Sequence, residues 1–127
     1  MPRSMPTPLR IAVLVVEDEL LVRMDIADYL IGDGFEVFEA GNAVDAIALL
    51  EANPHIQVLF TDIDMPGGMD GLMLAVAVRH RWPPIEIVVT SGHWEMNDRD
   101  LPVEGLFFRK PYQQQKISSA LRELGAS

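Results

Sequence analysis

The stretch VLFTDIDMPGGMDG, residues 58–71, sets two carboxylates, Asp62 and Asp64, directly after a run of strand-forming residues. One acid at such a place serves as a turn residue. Two of them, matched by Glu17 and Asp18 after a second apolar run, RIAVLVV (residues 10–16), require a chemical reason. Both runs are almost unbroken and rich in β-branched residues, the pattern of strands buried on both faces.

Working outward, FEVFEA (35–40), IEIVVTS (85–91) and GLFFR (105–109) read as three further strands, with QVLFTD (57–62) the middle one of five. Helical spacing fills the intervals. From Glu19 to about Ile31 the apolar residues Leu21, Met24, Ala27, Leu30 and Ile31 recur at helical period, with GDG (32–34) ending the helix. Asn42 is placed to cap a helix over 43–51, with Val44, Ile47 and Leu50 inward, and NP (53–54) breaks it. LMLAVAVRH (72–80) is a third helix, and PYQQQKISSALREL (111–124) a last one with Pro111 at its start. Mostly apolar strands alternating with helices predict an α/β fold: a doubly wound, five-stranded parallel sheet covered on both faces. Functional residues of such sheets gather beyond the carboxyl ends of the strands. Here that edge holds Glu17 and Asp18, Asp62 and Asp64, Ser91, and Lys110.

A chain of 127 residues with 49% apolar content is one domain with a single core. Residues 1–9, with three prolines and no periodicity, read as a flexible arm before a domain over 10–127. The absence of cysteine excludes thiolate metal sites and cysteine nucleophiles, and fits a cytoplasmic location. A formal charge of -9, from 19 acids against 10 Lys and Arg, repels phosphate backbones and argues against direct nucleic-acid binding. No apolar run approaches the length of a membrane span, and the first ten residues do not resemble a signal peptide.

Carboxylates converging at one edge repel one another unless they take up protons or share a cation. With oxygen ligands alone, magnesium is the expected ion. A carboxylate beside it can attack phosphorus, because the metal draws charge off the phosphoryl oxygens. A lysine can pair with a second phosphoryl oxygen and a hydroxyl can bond a third. Asp62, Lys110 and Ser91 meet those three needs.

At this point the chain resembles the receiver domain of two-component response regulators, over about residues 10–124. The matching motifs are VVEDE (15–19), FTDIDMPGGMDG (60–71), VVTSG (88–92) and FFRKPY (107–112), each after a strand and in the family's order. The resemblance implies a flavodoxin-like receiver fold of strand order 2-1-3-4-5 with five helices. It implies that Asp62 accepts a phosphoryl group from a histidine kinase or phosphotransfer protein, with Mg2+ as cofactor. Asp18 would bind the metal directly, Glu17 through water, and the backbone carbonyl of Asp64 would complete the protein's share. Ser91 corresponds to the switch hydroxyl, preferred over Thr90 because Gly92 supplies the small residue that follows it. Lys110 corresponds to the family's lysine, with a cis bond to Pro111, and Phe107 to the switch aromatic. Asp64 and His93 neighbour the hydrolysis water of the family and would tune phosphate lifetime. The domain would act as a signalling switch rather than a turnover enzyme.

Two departures stand out. The loop after Asp62 carries an extra glycine, and HWEMNDRDLPV (93–103) lacks the apolar stripe of a fourth helix, which is expected to be short or irregular. The family's partner-binding and dimerisation face, built from the fourth helix, fifth strand and fifth helix, is therefore expected to be atypical. Blander roles compete: Asp62 as a turn acid, Glu17 and Asp18 as caps of the first helix, Lys110 as a surface lysine, Phe107 as core. Competing functions are a degenerate receiver that binds a partner without phosphorylation, and an aspartate-nucleophile phosphohydrolase suggested by the DID of residues 62–64. The latter carries its motif on the first strand, whereas here it lies on the third. A stand-alone receiver and a piece of a longer regulator or hybrid kinase fit the sequence equally.

Overall fold

The computed structural model describes residues 10–65, 70–92, 99 and 101–126. Among them are five strands and four helices: β1 (Ala12–Val16), α1 (Leu20–Gly32), β2 (Glu36–Ala40), α2 (Ala43–Ala52), β3 (Val58–Asp62), α3 (Gly71–Arg81), β4 (Glu86–Ser91), β5 (Leu106–Arg109) and α4 (Gln114–Gly125). The strands form one parallel sheet in the order β2-β1-β3-β4-β5, as the sequence leads one to expect. The helix expected within 93–103 falls almost wholly outside the described residues, as do the arm over 1–9 and the glycine-rich loop over 66–69. No helix among the described residues is long and apolar enough to cross a membrane.

The period of two in β1 divides the core. Ala12, Leu14 and Val16 face α2 and α3, packing with Ala46, Leu50, Leu74 and Val78. Val13 and Val15 face α1 and α4, packing with Ile26, Leu30, Ile117 and Leu121. Buried alanines at 43 and 46 let α2 lie close to the sheet. On the other face, Ser118 of α4 hydrogen-bonds the Asp33 carboxylate, and Arg122 donates to the Asp33 carbonyl at 2.6 Å, tying α4 to the end of α1.

Two expectations need correction, and the rotation of α1 is a finding of its own. Helical period locates α1 but not its rotation: Ile26, Ala27 and Leu30 are buried, whereas Leu21, Met24 and Ile31 are 80%, 44% and 50% exposed. This helix is apolar on more than one side, and contact with Phe35 and the sheet decides which side turns inward. On α2 the same happens to Val44, which is exposed while Ala43 and Ala46 are buried. Finally, Pro111 does not open the last helix. It follows a cis Lys110–Pro111 bond in the connection from β5, and α4 begins at Gln114. The Asn42 cap is present as expected, its side chain accepting the Asp45 N–H at 2.8 Å.

Gly71 fixes the loop beyond β3. It is the first residue of α3, and a Cβ there would lie 1.9 Å from the Asp62 carbonyl oxygen and 2.8 Å from the Ile63 Cα. Its N–H donates to the Ile63 carbonyl at 3.1 Å. Backbone meets backbone, so no side chain can move aside. Gly71→Ala is expected to lower unfolding free energy in urea by about 3 kcal/mol or more, the upper range of overpacking. A loss under about 1 kcal/mol would show that the loop yields.

Candidate functional site

In an open parallel sheet the crevice lies where neighbouring strands send their connections to opposite faces. That point is between β1 and β3. Glu17 follows β1 directly, with Asp18 next, and Asp62 is the last residue of β3. The pairing of β3 with β4 sets Asp62 opposite Thr90, and that of β4 with β5 sets Ser91 opposite Arg109. Two further ladder bonds run past the strand ends: Ile63 N–H to the Thr90 carbonyl and Lys110 N–H to the Ser91 carbonyl, both 2.8 Å. Glu17, Asp62, Ser91 and Lys110 therefore sit on or one step beyond hydrogen-bonded strands, with Asp18 and Asp64 one residue further.

Glu17 and Asp62 are buried, at 5% and 4% exposure. The Lys110 ammonium lies between them, donating to Glu17 Oε1 at 2.8 Å and 3.3 Å from Asp62 Oδ2. The other oxygens receive backbone donors. Glu19 N–H bonds Glu17 Oε2 at 3.1 Å, and Asp64 N–H bonds Asp62 Oδ1 at 3.2 Å. Ser91 is wholly buried, and its hydroxyl donates to Asp64 Oδ2 at 3.2 Å.

Burial sets the electrostatics. Loss of water pushes the Glu17 carboxyl above its ordinary pKa, against the hydrogen bonds from Lys110 and the Glu19 amide. Burial pushes Asp62 up as well; the Lys110 charge and the Asp64 N–H oppose it, while the Asp64 charge adds to it. For Lys110 burial acts downward, but the Glu17 hydrogen bond and the Asp62 charge outweigh it and raise its pKa. Beside them, burial pushes the Tyr112 phenol up to about 12.

Glu17, Asp18 and Asp62 each offer a carboxylate oxygen, all within 4.8 Å of one another, a grouping able to hold a metal ion. Two buried, incompletely compensated carboxylates beside a third match the hard oxygen donors that divalent cations take. The sequence thus anticipated the convergence of Glu17, Asp18, Asp62, Asp64, Ser91 and Lys110. Phe107 sits apart, half-buried against Ile63, Ala75, Ile87 and Val89. His93 lies outside the described residues. Capping accounts for part of the first acidic pair: the N-cap of α1 is Glu19, whose N–H donates to the Glu17 carboxylate, whereas Asp18 is not the cap.

Sequence reasoning missed Arg23. From α1 it donates to the Glu17 carbonyl at 2.9 Å and pairs with Glu39 at 3.3 Å, pinning the acidic turn to the end of β2. The guanidinium occupies space left by Gly41, where a Cβ would meet Nη1 at 2.9 Å. The available signal was an arginine one helical turn after Glu19, with a glycine just past β2. Gly41→Ala is expected to displace Arg23 and lower stability by about 1 kcal/mol, one hydrogen bond's net contribution. In an Arg23→Met background the same change should have almost no effect in urea melts. Equal losses in both backgrounds would show that Gly41 does not act through Arg23.

With fold and site in view, the comparisons agree. Residues 13–122 match the response regulator receiver domain, and the chain belongs to that family. It is 32% identical over 116 residues to the sensor kinase CckA of Brucella abortus, covering 88% of this chain and 12% of that protein. Against the DNA-binding transcriptional regulator NtrC of Salmonella typhimurium it is 37% identical over 87 residues, covering 67% of this chain and 18% of that one. The chain thus spans under a fifth of these two relatives. The crystal structure of a response regulator receiver protein from Sinorhizobium medicae WSM419 superposes with a TM-score of 0.83 at 25% identity, covering 93% of this chain and 96% of that one. Receiver domains are signalling switches rather than turnover enzymes, and that is the class of this chain.

Proposed function

We propose that residues 10–127 form a phosphoacceptor switch in which Asp62 takes a phosphoryl group from a histidine kinase or phosphotransfer protein. The observation that carries this reading is the buried Asp62 carboxylate, with the Glu17 and Asp18 carboxylates within 4.8 Å of it and the Lys110 ammonium at 3.3 Å. Burial makes Asp62 a stronger nucleophile than a hydrated carboxylate, and the Lys110 charge opposes the upward push that burial gives its pKa. An Asp62 oxygen attacks phosphorus, a P–O bond forms, and the P–N bond to the donor histidine breaks with its electron pair leaving on nitrogen. Asp18, Asp62 and the Asp64 carbonyl would hold Mg2+ directly and Glu17 would hold it through water. The ion supplies charge neutralisation for the phosphoryl oxygens and the acids together. Lys110 then exchanges a carboxylate for a phosphoryl oxygen, and the Ser91 hydroxyl bonds another.

Phe107 is proposed to follow Ser91, since it packs on Val89 and Ile87 of the strand that carries the hydroxyl. The altered face would recruit a downstream protein, in the cytoplasm, with or without dimerisation. Intact mass after incubation with acetyl phosphate tests the reading. One added phosphoryl group is expected for wild type with magnesium, none without magnesium, and none for Asp62→Asn. Labelling of Asp62→Asn at the wild-type level would sink the assignment. Millimolar magnesium should also raise the melting temperature of wild type, because an ion that binds only the folded state stabilises it.

A further inference from the structure

Four contacts close a circuit around the strand ends. Asp64 N–H reaches Asp62 Oδ1, the Ser91 hydroxyl reaches Asp64 Oδ2, Lys110 N–H reaches the Ser91 carbonyl, and Lys110 Nζ reaches Asp62 Oδ2. The Asp64 side chain is the link that carries no strand hydrogen bond and that faces solvent. We infer that the Asp64 carboxylate is a positioning group that holds the Ser91 hydroxyl in the unphosphorylated protein and competes with a phosphoryl group on Asp62 for it. This rests on the reading of Asp62 as phosphoacceptor and names a regulator of that site.

The argument is one of proton count. A serine hydroxyl has one proton to donate. Ser91 is wholly buried, so its hydroxyl does not stand without an acceptor. It is bonded to Asp64 in this structure, and a phosphoryl oxygen on Asp62 would compete for the same proton. Leaving Asp64 is tolerated because that residue is exposed and water replaces the lost donor. The bond to a charged acceptor still has to be given up, and the Asp64 charge also repels an incoming phosphoryl group. Both effects set the position of the switch toward the unphosphorylated state. They separate by mutation: Asn removes the charge but keeps an oxygen acceptor, and Ala removes both.

Beryllofluoride, a phosphoryl mimic that binds aspartate carboxylates, is the probe, titrated calorimetrically in the presence of magnesium. Asp64→Ala is expected to bind it about tenfold more tightly than wild type, the size of one charge-assisted hydrogen bond. Asp64→Asn is expected to fall between the two. In a Ser91→Ala background most of the gain from Asp64→Ala should vanish, because no hydroxyl remains to be released. An equal gain in both backgrounds, or no gain in either, would overturn the competition while leaving Asp62 as acceptor. Failure of the wild type itself to bind the mimic would overturn the acceptor reading and the latch with it.

Discussion

The structure depends on how two buried carboxylates are tolerated at one edge of a sheet. Glu17 and Asp62 lie within reach of the same lysine ammonium, with almost no contact with water. Desolvation penalises both charges, and it outweighs the lysine and the backbone donors that reach them, since both carboxyls remain above their ordinary pKa. Buried ion pairs rarely add stability over well-packed apolar groups. A fold that places acids here is therefore holding free energy in reserve for something that adds positive charge or removes negative charge. A divalent cation does the first.

That reserve is useful only if the groups keep their places. Parallel pairing does this, because Glu17, Asp62, Ser91 and Lys110 are each a strand position or its immediate neighbour. Asp62 is opposite Thr90, Ser91 is opposite Arg109, and Lys110 continues the ladder by one bond. Arg23 secures the acidic turn after β1, and Gly71 lets α3 begin against the Asp62 carbonyl. Moving any one of these backbones by an ångström would separate a lysine from two acids that need it. Rigid elements thus carry the charges, and the freedom is left to side chains such as Asp64.

Much of this was legible in the sequence, for physical reasons. Strands buried on both faces leave long apolar runs, and a polar residue ending such a run is conspicuous, which is why Asp62, Ser91 and Lys110 could be named at once. Helix rotation was not legible. Leu21, Met24 and Val44 satisfy a helical period as well as Ile26 and Ala46 do, and only contact with Phe35 and the sheet distinguishes the stripes. The start of α4 was misplaced because proline suits both a first helical turn and the cis connection that follows Lys110. Arg23 was missed because its partners, the Glu17 carbonyl, Glu39 and the space over Gly41, lie on segments that only the fold brings together.

The three clusters of the core differ in a way that bears on signalling. Those under α1 and α4, and under α2 and α3, are built mainly from wholly buried residues. Among the described residues the third has four buried members, Ile63, Ala75, Ile87 and Val89, with half-buried Leu72, Leu101, Val103 and Phe107 packed against them. Regions that change conformation are drawn from the less buried end of a structure's stability range. Ile63 directly follows Asp62, and Val89 lies two residues before Ser91 on β4, so this thin cluster touches both sides of the site. The proposed rearrangement of the Ser91 hydroxyl would pass to Phe107 through this cluster, since Val89 stands opposite Phe107 in the pairing of β4 with β5. The role proposed for Phe107 thus needs no hydroxyl on its ring. It needs only that its neighbours be loosely enough packed to yield.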